Sequence, residues 1–144
     1  MIAASNLCRM TTPPPPPPPP PPASGGPPGY ANNDERTWAL VAHFGGAAGM
    51  LFLGGVGGWI APLIALLVRG NQSPTVRAHS INALNFQLTW SIVGVIGYLT
   101  ICVLVGVVLV PVAGLVGIVF GIIGGIKAND GELYEYPATI KMVK

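Results

Sequence analysis

Two stretches of the chain carry no charge: Trp38–Val68, 31 residues long, and Ile81–Ile126, 46 residues long. All 12 charged side chains, 7 Lys or Arg and 5 Asp or Glu, lie outside them. A soluble domain carries about a quarter charged residues, and 8% here leaves too little surface chemistry to keep a globule in water. The hydrocarbon core of a bilayer, about 30 Å thick, takes roughly 20 apolar residues as helix. An unpaired backbone group in hydrocarbon costs several kcal/mol, so only helices and closed barrels cross it. The alternation of a barrel strand is absent, and both blocks are apolar all round. The expected fold is an all-α integral membrane protein, a small bundle of about three transmembrane spans.

The first block begins after Asp34, Glu35 and Arg36 and reads WALVAHFGGAAGMLFLGGVGGWIAPLIALLV. Thirty-one residues as one straight helix would run about 46 Å, too long for one upright crossing and too short for two. It is therefore expected as one long tilted span over 38–68, broken at the cluster Gly54–Gly58, or as a re-entrant half-helix followed by a full one. Pro62 adds a kink where neighbours satisfy the freed carbonyl. Ser73 followed by Pro74 is a helix start, with an N-cap hydroxyl and a proline in the first turn. The second span is expected over about 81–103 and the third over 107–126, with Pro111 in its first turns. Residues 127–144 form a polar C-terminal tail, in which Gly131 suits a turn and Tyr134 and Tyr136 suit the headgroup region. Within the second block, Cys102 reads as a small apolar packer.

Residues 1–37 read as a disordered tail. Its ten-proline run, Pro13–Pro22, favours polyproline II and makes a stiff spacer of roughly 30 Å. A docking peptide for an aromatic groove is the other reading. No basic-then-apolar profile of a signal peptide precedes the first block. Met10 is a second candidate start beside Met1.

Arg69 and Arg77 flank one loop, and Lys127, Lys141 and Lys144 lie at the end, two crossings away and therefore on the same side. The positive-inside rule makes that side cytoplasmic. The chain is expected in the plasma membrane as a multi-pass protein with its C-terminus in the cytoplasm. The side of the N-terminal tail depends on the first block: one full crossing places it outside, a re-entrant segment inside. A net charge of +2 without a basic run gives no reason to expect nucleic acid.

Gly117, Gly121 and Gly125 recur every four residues, and the pairs Gly45/Gly49 and Gly54/Gly58 repeat that spacing. Small residues so spaced let helix backbones approach closely in lipid, within one chain or between two. In the second span, at about 100° per residue, Asn82, Asn85 and Thr89 share a face with His79 one turn below. Ser80, Gln87 and Ser91 lie nearly opposite. Polar groups at that depth are costly unless bonded, so two polar faces call for neighbours on both sides. The alternatives are hydrogen bonds to those neighbours or a wet, substrate-facing vestibule. His43 stands alone in the first block, without a carboxylate to form a relay, and reads as a hydrogen-bonded structural histidine. No catalytic residue, cofactor-binding residue or metal ligand set is legible: two histidines make a poor metal site, and no nucleophile and base pair or phosphate-binding glycine loop follows a strand.

Three segments, TWALVAHFGG, SPTVRAHSINALNFQLTW and GIIGGIKANDGELYEYPATIKMVK, resemble a family of bacterial membrane proteins of unknown function. That family is distantly similar to the Tic20 component of the chloroplast inner-envelope protein translocon. The resemblance implies a helical membrane protein and supplies no activity or site residues. Where relatives show an acidic residue before ALNFQ, this chain has Ser80–Ile81–Asn82, so a charge-based mechanism does not carry over. The expected function is that of a non-enzymatic scaffold or accessory subunit of a membrane assembly, related to translocation. The alternative is a small oligomeric channel or transporter lined by His79, Asn82, Asn85 and Thr89. Expected partners are the lipid bilayer and other membrane proteins or a second copy of the chain, with no cofactor and no small-molecule substrate.

Overall fold

The computed structural model describes residues 28–144, so the proline run, Cys8 and both candidate starts lie outside the described residues. The described chain is all-helical: α1 (Asn33–Phe52), α2 (Ile60–Arg69), α3 (Pro74–Leu99), a 3-10 turn (Ile101–Val103) and α4 (Val105–Asn129). Residues from Asp130 onward follow without regular structure.

The start of α1 corrects the tail boundary placed after residue 37. Asn32 caps the helix, its side chain accepting from the Glu35 amide at 2.9 Å. Glu35 in turn accepts from the Ala31 amide at 2.9 Å. This reciprocal pairing satisfies donors that a helix start leaves orphaned, and Asp34 and Glu35 complement the positive end of the dipole. Tyr30, just upstream, is buried.

The first block is not one continuous helix. α1 ends at Phe52, and Gly54 (φ 62°) and Gly55 (φ 82°) then take left-handed conformations that turn the chain back. α2 runs for only 10 residues, about 15 Å and half a hydrocarbon core. Both ends of the block meet at one end of the bundle, where Asp34 lies 2.9 Å from Arg69. Arg36 donates to Asn129 at the end of α4 at 2.6 Å. Four residues, 70–73, separate α2 from α3, with Ser73 accepting from the Val76 amide at 3.1 Å. The fold is thus two hairpins, α1/α2 and α3/α4, with all four charged helix ends together.

Of the three expected spans, one coincides with a helix that is long and apolar enough to cross a bilayer on its own among the described residues. That helix is α4, with a mean hydropathy of 2.7 over its best window. α3 has 26 residues, length enough, but it starts at Pro74, ends at Leu99 and carries two polar faces. Beyond it the chain turns through the 3-10 segment, where Cys102 is exposed rather than packed. The end of the bundle far from the charges is apolar and open: Phe52, Leu99 and Leu104 are 80%, 79% and 75% exposed.

Glycine and alanine bring the helices close. A side chain on Gly121 would start 3.0 Å from Ala47 of α1, one on Gly117 2.6 Å from Met50, and one on Gly125 2.6 Å from Phe44. The α4 stripe therefore packs on α1 of the same chain. Gly45 faces Ala61 of α2, and Gly49 faces the Gly57 carbonyl of the break. Ala42, Ala65 and Ala83 meet where α1, α2 and α3 converge, covered by Trp38.

Gly121→Leu is expected to lower the stability of the detergent-solubilised protein by about 1–3 kcal/mol, the usual range for overpacking. Gly114→Ala, whose new carbon would lie 3.8 Å from Gly55, should leave the midpoint nearly unchanged. Thermal unfolding followed by circular dichroism makes the comparison.

Candidate functional site

The polar residues of α3 divide between two environments. Asn82, Asn85 and Thr89 face the C-terminal segment, which lies along this helix as a strap. The Asn82 amide donates to the Tyr134 carbonyl. The Asn85 oxygen accepts from the Met142 and Val143 amides at 2.9 and 2.7 Å. Its nitrogen donates to the Val143 carbonyl at 2.9 Å. The Thr89 hydroxyl donates to the Asn85 carbonyl at 2.8 Å and accepts from the Ile140 amide at 3.1 Å. Arg77 donates to the Lys144 backbone oxygen at 3.0 Å. The order of contacts along α3, at 82, 89, 85 and then 77, means that the strap runs out along the helix and folds back. It turns at Ala138, whose φ of 52° lies in the left-handed region. A carboxamide offers a donor and an acceptor in one plane, so Asn85 pairs with extended backbone much as a neighbouring strand would.

His79 does not join that face. It pairs with His43 of α1 inside the bundle, Nδ1 to Nε2 at 3.1 Å, with the rings nearly perpendicular. His43 Nδ1 lies 2.6 Å from the Tyr136 hydroxyl, and His79 Nε2 lies 3.5 Å from that of Tyr30. The Tyr30 hydroxyl donates to the Ala128 carbonyl at 2.5 Å. Four rings from residues 30, 79, 43 and 136 thus form one chain of contacts, all of them buried.

Its last member sets the direction of every bond. A carbonyl only accepts, so Tyr30 must give its proton to Ala128 and receive one from His79 Nε2. His79 Nδ1 then accepts from His43 Nε2–H, and His43 Nδ1 accepts from the Tyr136 hydroxyl. With both imidazoles neutral, each is thus the Nε2–H tautomer. Burial raises the pKa of both phenols above the usual tyrosine value, with Tyr134 adding to the shift at Tyr136. Each phenol remains a donor.

Tyr136 is buried, stacked on Phe86 at 4.2 Å between ring centroids, rather than at the headgroups where its sequence context placed it. The tyrosine partners of the two histidines, Tyr30 and Tyr136, were missed because both lie in flanking segments without periodicity. The one available signal was negative: two histidines in apolar surroundings need partners, and the nearby tyrosines can supply them.

On the opposite face of α3, Ser80, Gln87 and Ser91 are buried. The Gln87 amide reaches the Gly117 carbonyl at 3.4 Å, packed against Gly46, Gly58 and Gly121. The Gln87 oxygen and both serine hydroxyls have no protein partner. Among the described residues no group of three or more His, Cys, Asp or Glu side chains converges as a metal site.

This arrangement occupies one continuous unit, from the α1 cap to the strap. Residues 34–143, three quarters of the chain, match the MamF/MmsF magnetosome magnetite crystal formation protein family. The chain belongs to that family. The match runs from the first turn of α1 through Val143 of the strap, so both hairpins, His43, His79 and Tyr136 fall inside it, and Tyr30 lies four residues before it. The assignment agrees with a bacterial membrane-associated family, and no link to the Tic20 translocon component emerges. Comparison with curated proteins and with solved structures yields no match.

Two outcomes follow from the geometry. Nitrogen spectra of histidine-labelled protein near neutral pH should show two neutral Nε2–H imidazoles; a cationic signal from either ring would break the derived direction of the chain. Asn85→Ala removes three backbone contacts, and at about 1 kcal/mol each the Met142 and Val143 amides should exchange with solvent at least tenfold faster. The helical amides of α4 should stay protected.

Proposed function

We propose that this protein is a non-enzymatic accessory component of magnetite crystal formation, held in the magnetosome bilayer by its two hairpins and acting through its charged end. The observation that carries the reading is the family match over the whole described bundle. The distribution of charge refines it. All 11 charged side chains among the described residues lie on the helix termini, the 70–73 loop flanks and the strap, and the far end carries none. Exposed apolar side chains surround α4 and the tip, among them Leu115 and Leu104, and a contiguous apolar surface of that kind calls for lipid. Trp59 and Tyr98 near the tip suit the far interface.

Arg36, Arg69, Arg77, Lys127, Lys141 and Lys144 gather at one end, and the positive-inside rule assigns that end to the cytoplasm. The first block is then re-entrant, and the N-terminal flank shares a side with the C-terminus. The mineral side would meet a tip of glycine, leucine, valine and threonine, poor in groups that bind iron or an oxide surface. The accessory role is therefore exerted on other proteins or lipids at the cytoplasmic face. The channel alternative is not favoured, because Asn82, Asn85 and Thr89 are engaged by the chain's own backbone and His79 by aromatic rings. Nothing in the comparisons supports a role in protein translocation.

Single cysteines at Asn32, Gln72 and Asp130, in a background lacking Cys8 and Cys102, are expected to react with an impermeant maleimide from the same side of sealed vesicles. Labelling of Asn32 from the opposite side would establish a full crossing by the first block and overturn the topology. In cells lacking the protein, a variant with Arg77, Lys127, Lys141 and Lys144 replaced by Ala should fail to restore crystal size. Thr100→Ala and Cys102→Ala at the tip should restore it. The reverse pattern would overturn action through the charged end.

A further inference from the structure

The folded-back strap forms an open cup against α3 of about 300 Å³. Its floor is apolar, built from Ala78 and Ile81 of α3, with Leu133 beside them. The outgoing limb of the strap contributes Glu135, and the returning limb contributes Lys141 and Lys144. One wall is therefore anionic and the other cationic. None of these three is used elsewhere: the ion pairs among the described residues are Asp34–Arg69 and Lys127–Glu132. The backbone that frames the cup is fixed by Asn82, Asn85 and Thr89, so its walls are held in place without help from the charges.

The strap is also the part of the chain best suited to a membrane surface. Leu133, Ile140 and Met142 are exposed apolar residues set among Glu135, Lys141 and Lys144. Long cationic side chains can lay their stems on apolar surface and keep the ammonium in the headgroup layer. Basic pockets on the cytoplasmic side of helical membrane proteins commonly hold lipid headgroups. A purely anionic headgroup would face Glu135 unfavourably. A headgroup carrying a phosphate and a primary ammonium meets both walls, with phosphate at Lys141 and Lys144 and ammonium at Glu135. A trimethylated ammonium has no N–H to give that carboxylate.

We propose that the cup between the strap and α3 binds the headgroup of a phosphoethanolamine lipid, its acyl root running out over Ile81 and Leu133. The proposal rests on the membrane reading above, so the test separates the two. The full chain is first reconstituted in vesicles of mixed phosphatidylethanolamine, phosphatidylcholine and phosphatidylglycerol and floated on a gradient. A chain that does not float defeats the membrane reading itself. From floated protein, extraction in mild detergent and native mass spectrometry should show phosphatidylethanolamine retained at least fivefold over either other lipid.

Lys141→Ala with Lys144→Ala should lower retention of both phosphatidylethanolamine and phosphatidylglycerol. Glu135→Gln should abolish the preference between those two while keeping phosphate binding. All three positions are exposed on the strap, so the helical circular dichroism signal should not change. Equal retention of the three lipids, or a phosphatidylethanolamine preference unmoved by Glu135→Gln, would overturn the proposal. So would full displacement by equimolar glycerophosphoethanolamine, which would assign the cup to a soluble headgroup instead of a lipid.

Discussion

The reversal at Gly54 and Gly55 is the constraint on which the other features depend. Two consecutive residues with φ above 60° are cheap only for glycine, because a Cβ in that region meets the following carbonyl. The chain turns there instead of continuing, and α2 carries it back to the end where α1 began. Asp34 can then meet Arg69, and Arg36 can meet Asn129. Had the block continued as one straight helix, its two ends would sit about 46 Å apart. The reversal also stacks α1, α2 and α3 so that His43 and His79 face each other.

Close packing makes polar pairing inside the bundle specific. Alanines at the convergence of α1, α2 and α3, and glycines between α1 and α4, leave little room for repacking. A buried imidazole in such a setting must find a partner or incur a desolvation cost of about 1–3 kcal/mol. Here each ring has one on either side. Because Tyr30 and Tyr136 come from outside the helices, satisfying the histidines also fastens both flanking segments to the bundle. The strap solves the same problem on the other face of α3, where Asn82, Asn85 and Thr89 would otherwise lack these partners. A polar helix face and a strip of extended backbone satisfy each other's hydrogen bonds.

One-sided charge gives the fold its functional direction. A family concerned with magnetite crystal formation invites the thought of acidic side chains on mineral. In this chain the five carboxylates share their end with six of the seven cations. That distribution leaves one end of the bundle charged and the other apolar.

Much of this was legible from residues alone. Charge-free blocks announced helices in an apolar medium, Ser73–Pro74 announced the start of α3, and the glycine cluster announced a break. These signals are local: each follows from what a residue can do with its own backbone or a neighbour one turn away. The two opposed polar faces of α3 were visible for the same reason, as was their need for partners. The identity of those partners was not, since Tyr136 and the 140–143 amides lie 50 or more residues away in segments with no period. That the chain folds back after α1 shows only in an ion pair between Asp34 and Arg69, 35 positions apart, and in two backbone angles that glycine permits but does not require. Sequence by itself determined the medium, the helices and the packing residues, because those rest on hydrophobicity and steric size. Only the tertiary structure decided which helix ends share an end of the bundle and which polar groups meet, because those depend on the path of the chain between distant residues.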